Sequence, residues 1–304
     1  MAQSDVIYPP APPVLDMRNV SKQFQRPGSP PFLAVTDINL RVDDRYQTGE
    51  LITIVGPSGC GKSTILSLIA GFDTHLPQTT GSIVFKGCPI KGPGPERGMI
   101  FQDYGCFKNR TVLGNIGFGL ELHRHELGMS QADVDAVAMD WLRKVHLTEK
   151  DAAKFPHELS GGMRQRVAIA RCLALEPDCI LMDEPFSALD EPTRYEMQRL
   201  LTELWEDLWC TIIMVSHSIR EAVYLGDRVW VMCRQPGTIV AEFADVPLPD
   251  LNYPPAIQQS TPEFAEHVHR VNDCMYKINS TPREELEPIY ADGVGRHLCK
   301  VLEG

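Results

Sequence analysis

The sequence predicts an α/β fold built on a mainly parallel sheet with helices on both faces. Three observations carry that expectation. Apolar runs of strand length recur at 51–55, 179–182 and 211–216. Stretches of helical character separate them, at 63–70, 164–175 and 193–208. A glycine cluster at 56–61 directly follows the first apolar run. Parallel strands need long crossovers, usually helical, and strands buried on both faces read as continuous apolar runs.

The chain has 304 residues, enough for one large domain plus an extension. Its 43% apolar and 23% charged residues are ordinary for a globular protein. The formal net charge of −11 gives no general attraction to nucleic acid, so nucleic acid is not expected as a partner. There are 9 cysteines and no CxxC pair, a pattern that argues against a zinc site or a disulfide framework. The first fourteen residues are Pro-rich, without the basic and apolar regions of a signal peptide. No apolar run reaches the roughly 20 residues of a membrane span. Any service to a membrane is therefore expected to run through a partner.

Taken in order, residues 1–13 read as a leader. Residues 14–42 alternate like strands, with Pro27, Gly28, Pro30 and Pro31 marking a turn between two of them. Further strands are expected at 83–85 and 99–101. Residues 104–160 change character and read as a helical insertion. Ser130 and Asp133 make an S-x-x-D opening, and Val134, Val137, Trp141, Leu142 and Val145 share one helical face. Strands at 229–233 and 239–243 close the sheet. A last helix opens at Thr261, Pro262 and Glu263, with Phe264, Val268, Val271 and Met275 as its apolar stripe.

Gly56, Pro57, Ser58, Gly59, Cys60, Gly61, Lys62 and Ser63 fit G-x-x-x-x-G-K-[ST] between an expected strand and an expected helix. Glycines let the backbone bend round a phosphate, and the helix N-terminus adds a positive dipole end. Lys62 would reach the β- and γ-phosphates, and Ser63 would offer a hydroxyl to Mg²⁺. Asp183 and Glu184 end the apolar run from Cys179, at the sheet edge where ligands of α/β folds bind. Asp183 is expected to hold Mg²⁺, and Glu184 to act as general base on the attacking water. Leu159, Ser160, Gly161, Gly162 and Met163 then open a helix, a second candidate phosphate site made of a hydroxyl and glycine N–H groups.

The last of these strings resembles the signature sequence of ABC ATPases, and the order of the other motifs is similar to that family. Gln102 matches the Q-loop glutamine, Ser187 to Asp190 the D-loop, His217 the switch histidine, and Phe24 the aromatic that stacks on adenine. The resemblance spans about residues 14–245 and implies a P-loop NTPase cassette. Its parts would be a parallel sheet core, an antiparallel β subdomain, a helical subdomain at about 104–165, and a C-terminal extension at 246–304. It implies ATP and Mg²⁺ as ligands, with Gln102 beside Ser63 and Asp183 at the metal. Thr64, Ser160, Gly161, Gly162 and Asp190 join the nucleotide-binding set, and Gln102 and His217 join Glu184 in catalysis. Each site would need a second copy of the chain, whose signature serine faces the γ-phosphate.

The motif wording is most similar to the ATPases of nitrate, sulfonate, taurine and bicarbonate importers. That implies two permease subunits, a periplasmic or extracellular solute-binding protein, and a place on the cytoplasmic face of the cell membrane. Coupling to an exporter or lipid-moving permease is the alternative, and a non-transport role in DNA repair or translation is a further one. Three departures stand out: a long link at 43–48, Ser218 where the family has Asp, and residues 103–110 after Gln102.

Overall fold

A computed structural model of the chain describes residues 12–25, 27–44, 49–247, 249–286 and 290–291. Residues 1–11 of the leader, 45–48 of the link and the tail from 292 onward lie outside the described residues. The elements in chain order begin with β1 (Leu15–Phe24), β2 (Phe32–Val42), β3 (Leu51–Val55), α1 (Lys62–Ala70), β4 (Thr80–Phe85), β5 (Cys88–Pro89) and β6 (Arg97–Ile100). Four helices follow: α2 (Val112–Ile116), α3 (Phe118–His123), α4 (Gln131–Lys144) and α5 (Gly161–Leu173). Next come β7 (Cys179–Asp183), α6 (Glu191–Leu208), β8 (Thr211–Val215), α7 (Ile219–Leu225), β9 (Arg228–Met232) and β10 (Ile239–Phe243). The described chain ends with α8 (Pro255–Gln258), α9 (Pro262–Ser280) and β11 (Tyr290–Ala291).

Two sheets result. One has the order β10-β9-β3-β8-β7-β6, parallel throughout except for the β9–β10 hairpin. The other has the order β11-β2-β1-β4-β5 and is antiparallel except where β11 joins β2. The central strands are buried on both faces, and their side chains divide by parity. Ile180, Met182, Ile212, Met214, Val229 and Val231 enter the core shared with α4, α5 and α6. Leu181, Ile213, Val215, Trp230 and Met232 enter the core shared with α1 and the antiparallel sheet. Each fully buried apolar side chain of this kind contributes about 1.5–3 kcal/mol.

The structure moves several expected boundaries. α5 starts at Gly161 rather than at Arg164, because the Ser160 side chain caps it by accepting from the Met163 N–H. α6 starts at Glu191 rather than at Thr193, capped by Asp190, with Pro192 in the first turn. α4 opens as expected, with Ser130 and Asp133 forming a reciprocal capping box. In α9 the buried positions are Phe264, Val268, Val271, Cys274 and Ile278, while Met275 is only partly buried. Cys274 acts there as a small hydrophobe at helical spacing, a role the expected stripe left to Met275. The short helices α2, α3 and α7 carry too few turns to show a period in the sequence.

Six of the eight described cysteines are buried. Among the described residues, no helix is long and apolar enough to cross a membrane.

Leu181 on β7 is fully buried between the two layers. Replacing it with Ala is expected to cost about 2–5 kcal/mol, read as a lower midpoint in denaturant unfolding with an unchanged slope.

Candidate active site

β3 is buried along its whole length, which fixes the point at which the chain leaves the sheet. The loop 56–61 then turns into α1 with Gly59 at φ 76° and Gly61 at φ 98°, a backbone region open to glycine at little cost. A Cβ on Gly61 would also stand 2.4 Å from Val35 Cγ1 on β2. Lys62 is buried and donates to the loop's own carbonyls, at 2.9 Å to Gly56 O and 3.0 Å to Pro57 O. The loop is thus already wrapped round an ammonium group. Burial pushes the Cys60 thiol up, against the opposing pull of Lys62.

Parallel pairing brings two further strand ends to the same edge. β7 ends at Asp183, whose Oδ1 accepts from Ser63 Oγ at 3.0 Å. Glu184 follows at φ 49°, a left-handed conformation that costs a non-glycine residue about 1–3 kcal/mol. Three hydrogen bonds hold it there. Its N–H donates to Val215 O at 3.0 Å, and its carbonyl accepts from Ser187 Oγ at 2.9 Å and from the Ser187 N–H at 3.2 Å. The twist aims its carboxylate at His217, with Nε2 to Oε1 at 2.5 Å. His217 lies two residues past the end of β8, and Gln102 two residues past the end of β6. Gln102 Nε2 donates to Ser187 Oγ at 3.4 Å, which places it on the loop that carries Glu184.

Part of the loop, Glu184 and His217 border a cleft of about 580 Å³, while Asp183 and Gln102 are not among its lining residues. Ser58, Gly59, Gly61, Lys62, Ser63 and Thr64 form one wall, and Glu184 and His217 close its end. Phe24 stands on the far side, edge-on to His75 at 5.2 Å, with Lys22 Nζ 5.2 Å from its centroid. Burial lowers the pKa of both Lys22 and His75, and the Lys22 charge lowers His75 further.

Gln25, Phe32, Ala34, His75 and Gln235 also line the cleft, and the sequence reading missed all five. Phe32 was recoverable only from strand register, since it pairs directly opposite Phe24. Gln235 arrives from the β9–β10 turn, which presses on the phosphate loop: a Cβ on Gly237 would stand 1.8 Å from Cys60 O. His75 carried no signal beyond being one histidine in a loop.

Ser160, Gly161, Gly162 and Asp190 are not among the residues that line the cleft. They sit at two neighbouring helix starts. A Cβ on Gly162 would stand 2.7 Å from Thr193 Cγ2, so the glycine lets α5 and α6 approach each other. Asp190 caps α6 through the Thr193 N–H, and that bonding holds its carboxyl below the usual carboxylate range. Ser218, the departure next to His217, caps α7 by accepting from the Glu221 N–H at 3.3 Å. At the surface, His123 lies against Glu126 and His269 against Asp273.

A glycine phosphate loop, a carboxylate pair and a histidine at one parallel-sheet edge define a nucleotide-hydrolysing class of protein. Comparison with known proteins gives the family. Residues 38–187 match the ABC transporter family model. The chain is 41% identical over 266 residues to the taurine import ATP-binding protein TauB of Roseobacter denitrificans, covering 87% of this chain and 94% of that one. It is 46% identical over 210 residues to the nitrate import ATP-binding protein NrtD of a Synechocystis species, covering 69% and 74%. The dimeric post-hydrolysis structure of the ATP-binding cassette MJ0796 with ADP and Pi superposes with a TM-score of 0.62 at 31% identity, covering 71% of this chain and 93% of that one. The chain belongs to the ABC transporter family, as an ATP-binding subunit.

Gly237→Ala must push the Cys60 carbonyl, and with it the phosphate loop. Nucleotide affinity, measured by fluorescent-nucleotide titration, is expected to fall about tenfold. Gly92→Ala meets nothing within 4 Å and is expected to leave affinity unchanged.

Proposed function

We propose that this chain is the ATPase that drives an ABC importer of a small anion or organic solute, of the nitrate, sulfonate, taurine or bicarbonate kind. The observation that carries the reading is the meeting of Lys62, Ser63, Glu184 and His217 at one cleft, with Asp183 bonded to Ser63 behind it. The relatives named above are import subunits for taurine and nitrate, which favours import over export. In this reading residues 14–245 form the ATPase domain, about 104–165 its helical subdomain, and 246–304 an extension.

The residues divide the work by position. Phe24 offers a flat apolar face to the base, and the N–H groups from Ser58 to Thr64 cradle the phosphates. Lys62 leaves the carbonyls of Gly56 and Pro57 for the β- and γ-phosphates. Ser63 and Asp183 already place two hard oxygen donors 3.0 Å apart at the loop mouth, a set that suits Mg²⁺. They would hold that ion with Gln102, and it would neutralise developing phosphate charge. Glu184 takes the proton from the attacking water. His217, bonded to Glu184, fixes the carboxylate and faces the γ-phosphate.

Ser160, Gly161, Gly162 and Asp190 have a different task. They complete the site of a second copy, so two nucleotides are clasped at a two-fold interface. Dimeric structures of a similar cassette support that arrangement. Hydrolysis removes the phosphate that both halves bind, and the dimer opens. The opening is passed to two permease subunits, at the cytoplasmic face of the membrane, with a solute-binding protein delivering the solute.

Glu184→Gln is expected to bind ATP and dimerise while hydrolysis falls about 10²–10⁴-fold. Phosphate release and size-exclusion chromatography with ATP check the two halves of that statement. Wild-type turnover would overturn the role of Glu184. Lys62→Ala is expected instead to weaken nucleotide binding itself.

A further inference from the structure

A chain of buried polar side chains leaves the active site and ends in the C-terminal extension. It begins at Ser216, the residue before His217. The Ser216 hydroxyl donates to Glu221 Oε2 and accepts from the Ser218 N–H at 3.0 Å. Ser218 Oγ in turn accepts from the Glu221 N–H, so the turn 216–218 is braced in both directions. The other Glu221 oxygen accepts from Gln198 Nε2 on α6 at 3.3 Å. The Gln198 Oε1 then accepts from Gln259 Nε2 at 3.1 Å, and Gln259 lies between α8 and α9. Arg220 grips the same residue from α7, donating to Gln259 O at 2.6 Å, while its guanidinium lies over the Phe264 ring of α9.

Ser216, Glu221, Gln198 and Gln259 are all buried. Packing alone does not call for four polar side chains in a dry seam. Apolar groups of the same shape would fill it at no cost in unmatched partners. A half-broken chain is the costly state, because each lost bond strands a buried donor or acceptor. The connection therefore has two well-separated conditions, made or broken, rather than a graded one. Burial raises the Glu221 pKa, and the two donors and Arg194 offset that rise.

We propose that Glu221, Gln198 and Gln259 are positioning residues for ATP hydrolysis, which transmit the seating of the C-terminal segment to the turn that aims His217 at Glu184. The proposal rests on the roles given above to Glu184 and His217. Seated, the extension supplies Gln259 and the turn is fixed. Displaced, it withdraws Gln259, Gln198 is freed to turn away from Glu221, and His217 loses its aim. A segment outside the catalytic cleft thereby sets the rate of the chemical step without touching nucleotide.

The test uses the full chain and reads kcat, KM for ATP, nucleotide affinity and thermal midpoint. Gln259→Ala is expected to lower kcat about three- to tenfold, the worth of one or two buried hydrogen bonds, with KM and affinity unchanged. Glu221→Ala is expected to lose more than Glu221→Gln, which keeps an acceptor for one donor. A double-mutant cycle gives the sharper reading, by single-turnover hydrolysis: in a His217→Ala background, Gln259→Ala is expected to cause no further loss. An equal loss in that background overturns the proposal. So does a lower thermal midpoint with unchanged kcat per folded molecule. If His217→Ala is impaired while Gln259→Ala is not, the relay alone fails. Full turnover in His217→Ala would overturn the site assignment and the relay together.

Discussion

The structure depends on the parallel pairing of β3 with β8 and β9, and of β8 with β7. In a parallel sheet all carboxyl ends lie on one side, so whatever follows each strand is delivered to a common edge. Here that delivery brings the phosphate loop after β3, Glu184 after β7 and the His217 turn after β8 to one cleft. None of these segments has regular structure of its own to hold it. Their precision is borrowed from strands whose side chains are almost wholly buried on both faces.

The second sheet supplies what the first lacks. The β1–β2 pairing sets Phe24 against Phe32, and β2 packs Val35 onto Gly61. One sheet edge and one hairpin thus meet at a single glycine. The β9–β10 turn closes the loop from the other side at Gly237. The phosphate loop is clamped from two directions, by the Val35 side chain of β2 and by the backbone of the β9–β10 turn.

Much of this was legible in the sequence because the chemistry is demanding. A loop that must bend round a phosphate needs glycines at fixed places, and Lys62 and Ser63 must follow them. The carboxylates had to sit at the end of an apolar run, and they do. What was not legible had one of two causes. Phe32, Ala34, His75 and Gln235 reach the cleft through register and turns, which leave no local pattern. The Gln198 to Gln259 bond joins residues 61 apart in sequence, each unremarkable on its own helix or loop. Helix starts at Gly161 and Glu191 were placed late because glycine and proline read as breakers, although both are at home in a first turn behind a good cap.

The aromatic side of the cleft has a consequence for selectivity. Phe24, Phe32 and Ala34 present apolar surface to the cleft, and Gln25, His75 and Gln235 supply the polar atoms among the same lining residues. A π face rewards contact area and is indifferent to which edge atoms carry hydrogens. The opposite wall counts phosphates with fixed N–H groups and a cation. In the proposed reading, a cleft divided in this way grips the phosphate tail by fixed N–H groups and a cation and the ring chiefly by contact area, so the tail is held more selectively than the ring.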